Sequence, residues 1–247
     1  MRNPITPRPK PPSPAPIVCP ALRADIPDLV RVFMAADASN LLSFVRYRTS
    51  EERAAFAKKI IRAFDEIFDA PQLLFTKAMD AEAGVITGVG IWQKNGYSGD
   101  GLGEEDHLGM HAGQLWGKRV DGKGEGDVLF EYISNQMKKF MFEWTRETKH
   151  LYLAFLFVDP EFQSRGIGSA LLRWGHERSD ADGVPSFLVA TPVGHGFYEY
   201  LGWKNVAKPL EIDLRKFVSG AGGGDSGWGI YTYYFMMRLP KTAVGDD

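Results

Sequence analysis

The chain has 247 residues, 44% of them hydrophobic and 13% aromatic, which is enough for one large domain with a substantial core. A formal charge of −2 gives no net pull toward nucleic acid. The single cysteine, Cys19, excludes an intrachain disulfide and suits a reducing, cytoplasmic setting, and the longest apolar runs are strand-sized, too short for a membrane span.

Eight of the fifteen prolines fall within the first 20 residues. Proline lacks an N–H and fixes φ, so residues 1–16 read as a proline-rich, disordered tail. It has no apolar centre of the kind a secretory signal needs. Residues 17–22 read as a first strand. Asp25 is placed to cap a helix with Pro27 in its first turn, and Ile26, Leu29, Val30, Phe33 and Met34 recur at helical spacing. Ser50 with Arg53 opens a second helix, whose buried stripe is Phe56, Ile60, Phe64, Ile67 and Phe68. Residues 72–79 and 85–93 form a hairpin around 80–84.

Residues 95–126 hold ten glycines and no regular period. A stretch of this length is either functional or disordered. It reads as a cover over a substrate, with a short helix near 107–116, or as a surface insertion. Asp127 then caps an amphipathic helix with Val128, Leu129, Tyr132, Ile133, Gln136, Met137, Phe140, Met141 and Trp144 on one face.

The next segment carries the chemistry. Leu151 to Val158 is an unbroken apolar strand. Asp159 and Pro160 turn the chain, and Gln163, Ser164, Arg165, Gly166, Ile167 and Gly168 lead into a helix at about 168–181. A helix N-terminus presents unpaired N–H groups and partial positive charge, and glycines let the backbone close around a phosphate. Three loop types compete. The P-loop requires Lys and then Ser or Thr after its last glycine, but Gly168 is followed by Ser169 and Ala170. The dinucleotide fingerprint requires a third glycine where Leu171 stands. What remains is Gln-x-x-Gly-x-Gly after a strand. Downstream come a strand at 185–190 and the run Phe197-Tyr198-Glu199-Tyr200-Leu201-Gly202-Trp203. A strand at 206–214, a glycine turn at 219–229, a last strand at 230–239 and a tail at 241–247 complete the chain.

These two motifs, in this order, resemble the pyrophosphate loop and the closing Phe-Tyr-x-x-x-Gly-aromatic motif of the GNAT superfamily of acyl-CoA-dependent N-acyltransferases. Val184-Pro185-Ser186-Phe187-Leu188 and residues 228–240 are further similar to the puromycin N-acetyltransferase group. The resemblance is clear over 150–240 and faint before it. It implies an α/β GNAT fold, a mixed, splayed central sheet with helices on both faces, formed by a single domain at 17–240. It also implies acetyl-CoA as cofactor. Gln163, Ser164, Arg165, Gly166, Ile167, Gly168 and Ser169 would then hold its pyrophosphate, and the backbone of Leu156, Phe157 and Val158 its pantetheine arm. Tyr198 matches the tyrosine that protonates the departing thiolate, and packs on the cofactor. His195 stands near a helix start where many members carry Asn, and would take over that contact.

The general base is open among the five histidines, His107, His111, His150, His176 and His195, the acids Glu104, Glu105 and Asp106, and water. No metal-ligand spacing occurs. The leading expectation is N-acetylation of a small-molecule amine by direct transfer, in detoxification or specialised metabolism, without nucleic acid or membrane as partner. A protein lysine or N-terminal acetyltransferase and a non-catalytic acyl-CoA-binding protein are the alternatives. Oligomeric state is not legible.

Overall fold

The computed structural model describes residues 15–47, 49–97, 125–145, 148–217 and 229–241. Its helices and strands run β1 (Ile17–Pro20), α1 (Ile26–Asp37), α2 (Leu41–Arg46), α3 (Ser50–Ile67), β2 (Leu73–Met79), β3 (Ile86–Asn95) and α4 (Glu125–Thr145). Then follow β4 (His150–Val158), α5 (Ile167–Ala181), β5 (Ser186–Ala190), α6 (Pro192–Tyr200), β6 (Lys204–Asn205), β7 (Leu210–Asp213) and β8 (Ile230–Arg238). The strands form one mixed sheet in the order β1-β2-β3-β4-β5-β8-β6, with β7 also on β8. Only the β4–β5 pair is parallel.

Helices cover both faces, as expected of the α/β class. On one face α1 and α3 bury Leu29, Val30, Phe33, Ile60 and Phe64 against β2 and β3. On the other, α5 places Ile167, Leu171 and Leu172 over Ala78, Trp92 and Leu153. α4 packs by Leu129 and Ile133 on β7 and β8, and by Phe140 and Met141 on Phe235, whose ring stacks on Phe140. Among the described residues, no helix is long and apolar enough to cross a membrane.

Several sequence expectations shift. Asp25 precedes α1 but does not cap it; its carboxylate accepts from the Leu22 N–H at 2.7 Å and from Lys77 Nζ at 2.6 Å. The cap of α3 is Thr49, in a reciprocal box with Glu52. The short helix α2 is unforeseen from periodicity; Asn40 caps it by accepting from the Leu42 N–H. α4 begins at Glu125, so Asp127 lies inside its first turn. Its apolar stripe is wider than its buried face: Val128, Tyr132 and Trp144 are exposed. Of the strand expected at 206–214 only β7, Leu210–Asp213, forms; β6 lies just before that range, and Pro209, which has no ladder donor, stands between them. The proline tail up to residue 14, the glycine-rich stretch from 98 to 124 and the turn at 218–228 lie outside the described residues.

His176, on α5, packs between the rings of Trp92 and Trp203. Burial, with Arg238 nearby, pushes its pKa from the ordinary 6.5 down to about 4. An unfolded chain therefore binds this proton first as pH falls. The histidine's contribution to stability is complete above pH 6.5 and is lost progressively between pH 6.5 and 4. Denaturant titrations across that window are expected to show a fall in stability that is flattened in His176→Gln; an unchanged slope would contradict this.

Candidate active site

β4 is paired along its whole length with β3, from Gly88↔Val158 to Asn95↔His150. The register slips between Ile91 and Trp92, which face Phe155 and Leu153, so Ala154 is an extra residue bulged out of the ladder. On its other edge β4 pairs with β5 only from Leu151 to Leu153. Beyond the bulge the two parallel strands part, and β5 continues through Val189 and Ala190 paired with β8 alone. The sheet is therefore splayed where the sequence expectation put it. Asp159 donates its N–H to the Thr87 carbonyl at 2.9 Å. Strand alternation then turns the backbone groups of Phe157 toward β3 and those of Leu156 and Val158 toward the open side. Their side chains alternate as well: Leu156 and Val158 pack toward α5, Phe155 and Phe157 toward α1.

The glycine loop begins where β4 ends. A short 3-10 turn at Pro160–Phe162 is capped by the Asp159 carboxylate. Ser164 then adopts φ 60° and Gly166 φ 78°, two left-handed residues within three positions. That conformation turns successive N–H groups into one concavity. No side chain caps α5, whose N-cap is Gly166, so the first amides, including those of Gly168 and Ser169, are presented outward. Gly166 is required for its backbone: a Cβ there meets open space but a strained φ. Gly168 is required for close approach, since a Cβ would lie 3.1 Å from the Phe197 ring and 3.8 Å from Val158. Ile167 is buried and contributes only its backbone. Gln163 donates to the Val158 carbonyl at 3.2 Å. Arg165 donates to the Glu161 carbonyl at 2.9 Å and lies over the Phe162 ring. Both brace the loop while remaining exposed. The donors and the left-handed turn fit a pyrophosphate.

α6 closes the site. Thr191 caps it by accepting from Gly194. Phe197 packs toward the glycine loop and Tyr198 toward Trp203. The Tyr198 hydroxyl has no hydrogen-bond partner among the described residues, and burial, with the Tyr152 hydroxyl nearby, pushes its pKa well above 10. Tyr152, on β4, is likewise raised by burial; it belongs to this neighbourhood and carries no motif signal of its own. Tyr200 is 87% exposed and is set aside as an acid. His195 is drawn elsewhere: its ring stacks on Tyr234 and its Nε2 lies 3.1 Å from Asn205 Oδ1. His150 is buried against Asn95 and the Thr148 carbonyl. His107, His111 and the acids at 104–106 lie outside the described residues.

On the α1 side, a cleft of about 520 Å³ opens between α1, α2 and α3, lined by Met34, Phe44, Tyr47 and Arg53 among others. Aromatic rings connect it to β4. Tyr47 packs on Phe56 at 5.4 Å, Phe56 on Phe33 at 6.2 Å, and Phe33 edge-on against Phe157 at 4.8 Å.

The splayed sheet and the anion nest at the end of its parting strand can be set beside known proteins. The acetyltransferase (GNAT) domain model matches residues 137–205, from the second half of α4 to β6. An uncharacterized N-acetyltransferase of Schizosaccharomyces pombe is 37% identical over 93 residues, 37% of this chain and 34% of that protein, so the chain spans about a third of the length of the curated relative it matches. The fold is shared with a Corynebacterium glutamicum structure of histone acetyltransferase HPA2 and related acetyltransferase, at TM-score 0.54 and 20% identity over 93% of this chain and 98% of that one. It is also shared with mosquito arylalkylamine N-acetyltransferase like 5b, at TM-score 0.54 and 13% identity over 91% and 100%. Residues 137–205 thus match an acetyltransferase (GNAT) domain, and the chain as a whole shares the fold of the two solved acetyltransferases. Acetyl-CoA is the general acetyl donor of that superfamily.

Gly166→Ala is expected to destabilise the protein by roughly 1 kcal/mol, the cost of a Cβ in the left-handed region. Chemical denaturation measures it; no change would mean that the loop relaxes out of this conformation.

Proposed function

We propose that this protein transfers the acetyl group of acetyl-CoA directly to a small-molecule amine. The observation that carries the reading is the coincidence on β4: the bulge at Ala154 opens the strand, and the anion nest begins where the same strand ends. The loop from Gln163 to Ser169 would hold the pyrophosphate, and Leu156 and Val158 would offer backbone groups to the pantetheine arm. Bound acetyl-CoA supplies an activated acyl group as its thioester.

The chain's residues supply alignment and a proton. Holding two reactants at attack distance accounts for about 7–11 kcal/mol of a barrier. Tyr198 keeps its proton on Oη through the neutral range, because its surroundings disfavour a phenolate. With no partner holding that proton, it is free to be given to a departing thiolate. The thiolate of an ordinary thiol, at about 8.5, is a weaker base than a phenolate, so the transfer runs uphill and is completed when solvent returns a proton to Tyr198. His150, His176 and His195 are each engaged away from the opening, so none of them serves as the base in this reading. The amine then reacts in its neutral form, its proton passing to water.

The acceptor is read from the α1 side. The wall of Phe33, Phe155 and Phe157 suits an amine with an apolar body. The likeness to the puromycin N-acetyltransferase group points the same way. The two solved neighbours are named for different acceptors, one a histone and one an arylalkylamine, and at their identities the likeness concerns the fold.

Release of coenzyme A from acetyl-CoA across a panel of arylalkylamines, polyamines, puromycin and lysine peptides tests the proposal. Turnover on a small amine is expected, and Tyr198→Phe is expected to lower kcat about a hundredfold or more at nearly unchanged acetyl-CoA affinity. Turnover on peptides alone would overturn the small-amine assignment, and an unaltered Tyr198→Phe would remove the acid. The wild-type rate is expected to climb with pH as the amine becomes neutral and to show no fall from phenol ionisation up to about pH 10. A limb falling near pH 9 that disappears in Tyr198→Phe would contradict the raised pKa.

A further inference from the structure

Asp159 sits at the joint between β4 and the glycine loop, and every polar group it has is committed. Its N–H donates to Thr87 and its carbonyl accepts from Phe162 at 2.8 Å, closing the turn. Carboxylate Oδ1 accepts from the Glu161 N–H at 3.2 Å, and Oδ2 accepts from Arg31 Nη1 at 2.7 Å. Arg31 is equally committed: Nη2 donates to the Ile86 carbonyl at 2.6 Å and Nε reaches Asp28 at 3.3 Å. The carboxylate is nearly buried. Arg31 lies on α1 two positions before Phe33, whose ring rests on Phe157. One helix thus carries both a tie to the root of the anion loop and part of the wall on the acceptor side of β4.

We propose that the Arg31–Asp159 pair is a positioning clamp, by which α1 sets the anion-accepting shape of the loop without either side chain touching the anion. The inference rests on the cofactor reading of that loop. It makes a prediction opposite in sign to simple electrostatics. Asp159 is a negative charge close to a site for a polyanion, so removing the charge should tighten binding if the field alone mattered. If Arg31 met the phosphate directly, Asp159→Asn would release it to do so and again tighten binding. The clamp requires the reverse.

The test uses Asp159→Asn, Arg31→Gln, their double variant and the conservative Arg31→Lys in the full chain. Coenzyme A affinity is measured by calorimetry, and amide exchange over residues 160–169 is followed in the ligand-free protein. The clamp predicts that each of the first two variants weakens coenzyme A about tenfold, that the double variant is little worse than either, and that Arg31→Lys falls between. It also predicts faster exchange in the loop, with the amides of β2 and β3 unchanged as the control for folding. Unchanged or tighter binding in Asp159→Asn overturns the clamp, as does additive loss in the double variant. Should the wild type fail to bind coenzyme A, the cofactor reading falls, and the exchange arm still decides: loop exchange equal to wild type in both single variants overturns the clamp.

Discussion

The parting of β4 from β5 is the constraint on which the site depends. A parallel pair normally satisfies its backbone groups along its length, and leaving them open costs free energy when they are buried. Here an extra residue at Ala154 turns the strand just where the pairing stops. β3 holds the other edge without a break, so β4 bends without detaching. The opening is tolerable because it is a mouth and not a cavity: residues 154–158 are partly exposed while Leu151 and Leu153 behind them are buried. The anion loop has its position because it is the direct continuation of that bent strand.

The tyrosines beside the opening have a second consequence. Tyr152 and Tyr198 are both made poorer acids by burial, and the Tyr152 hydroxyl makes ionisation of Tyr198 harder still. Two phenols that resist ionisation add no negative charge to the site through the neutral range, which suits the proposed meeting of a thioester and a neutral amine. Nearby carboxylates are kept out of it by their own partners: Asp159 is tied to Arg31, and Asp37 is held by Ser43 and Tyr47.

Much of this was legible before the fold was seen, for local reasons. The apolar strand, the glycine loop that follows it and the closing aromatic run are chemistry written in consecutive residues, and periodicity marks α1, α3 and α4. What periodicity cannot show is a long-range partner. Asp25 looks like a cap until Lys77 and Leu22 claim its carboxylate. The helix α2 has six residues, too few for a period, and is held by packing on α4 and β8. The bulge at Ala154 leaves no trace in an apolar run, because it depends on the register of β3. His195 was placed by analogy with a family position, but only the three-dimensional neighbours Tyr234 and Asn205 show where its ring goes.

The period of two along β4 then ties cofactor and acceptor together. Leu156 and Val158 lean toward α5, whose N-terminus forms the anion nest, while Phe155 and Phe157 lean toward α1 and the aromatic wall. On the proposed reading, one strand would serve both substrates with alternate residues. A substitution on either face shifts the backbone that the other face uses, since a packed strand has no slack to absorb a displaced methyl group. If the acceptor lies on the α1 side as proposed, its specificity would change freely where α1, α2 and α3 line the outer cleft. It can change only slowly at Phe155 and Phe157, where any new volume also moves the carbonyls of Leu156 and Val158.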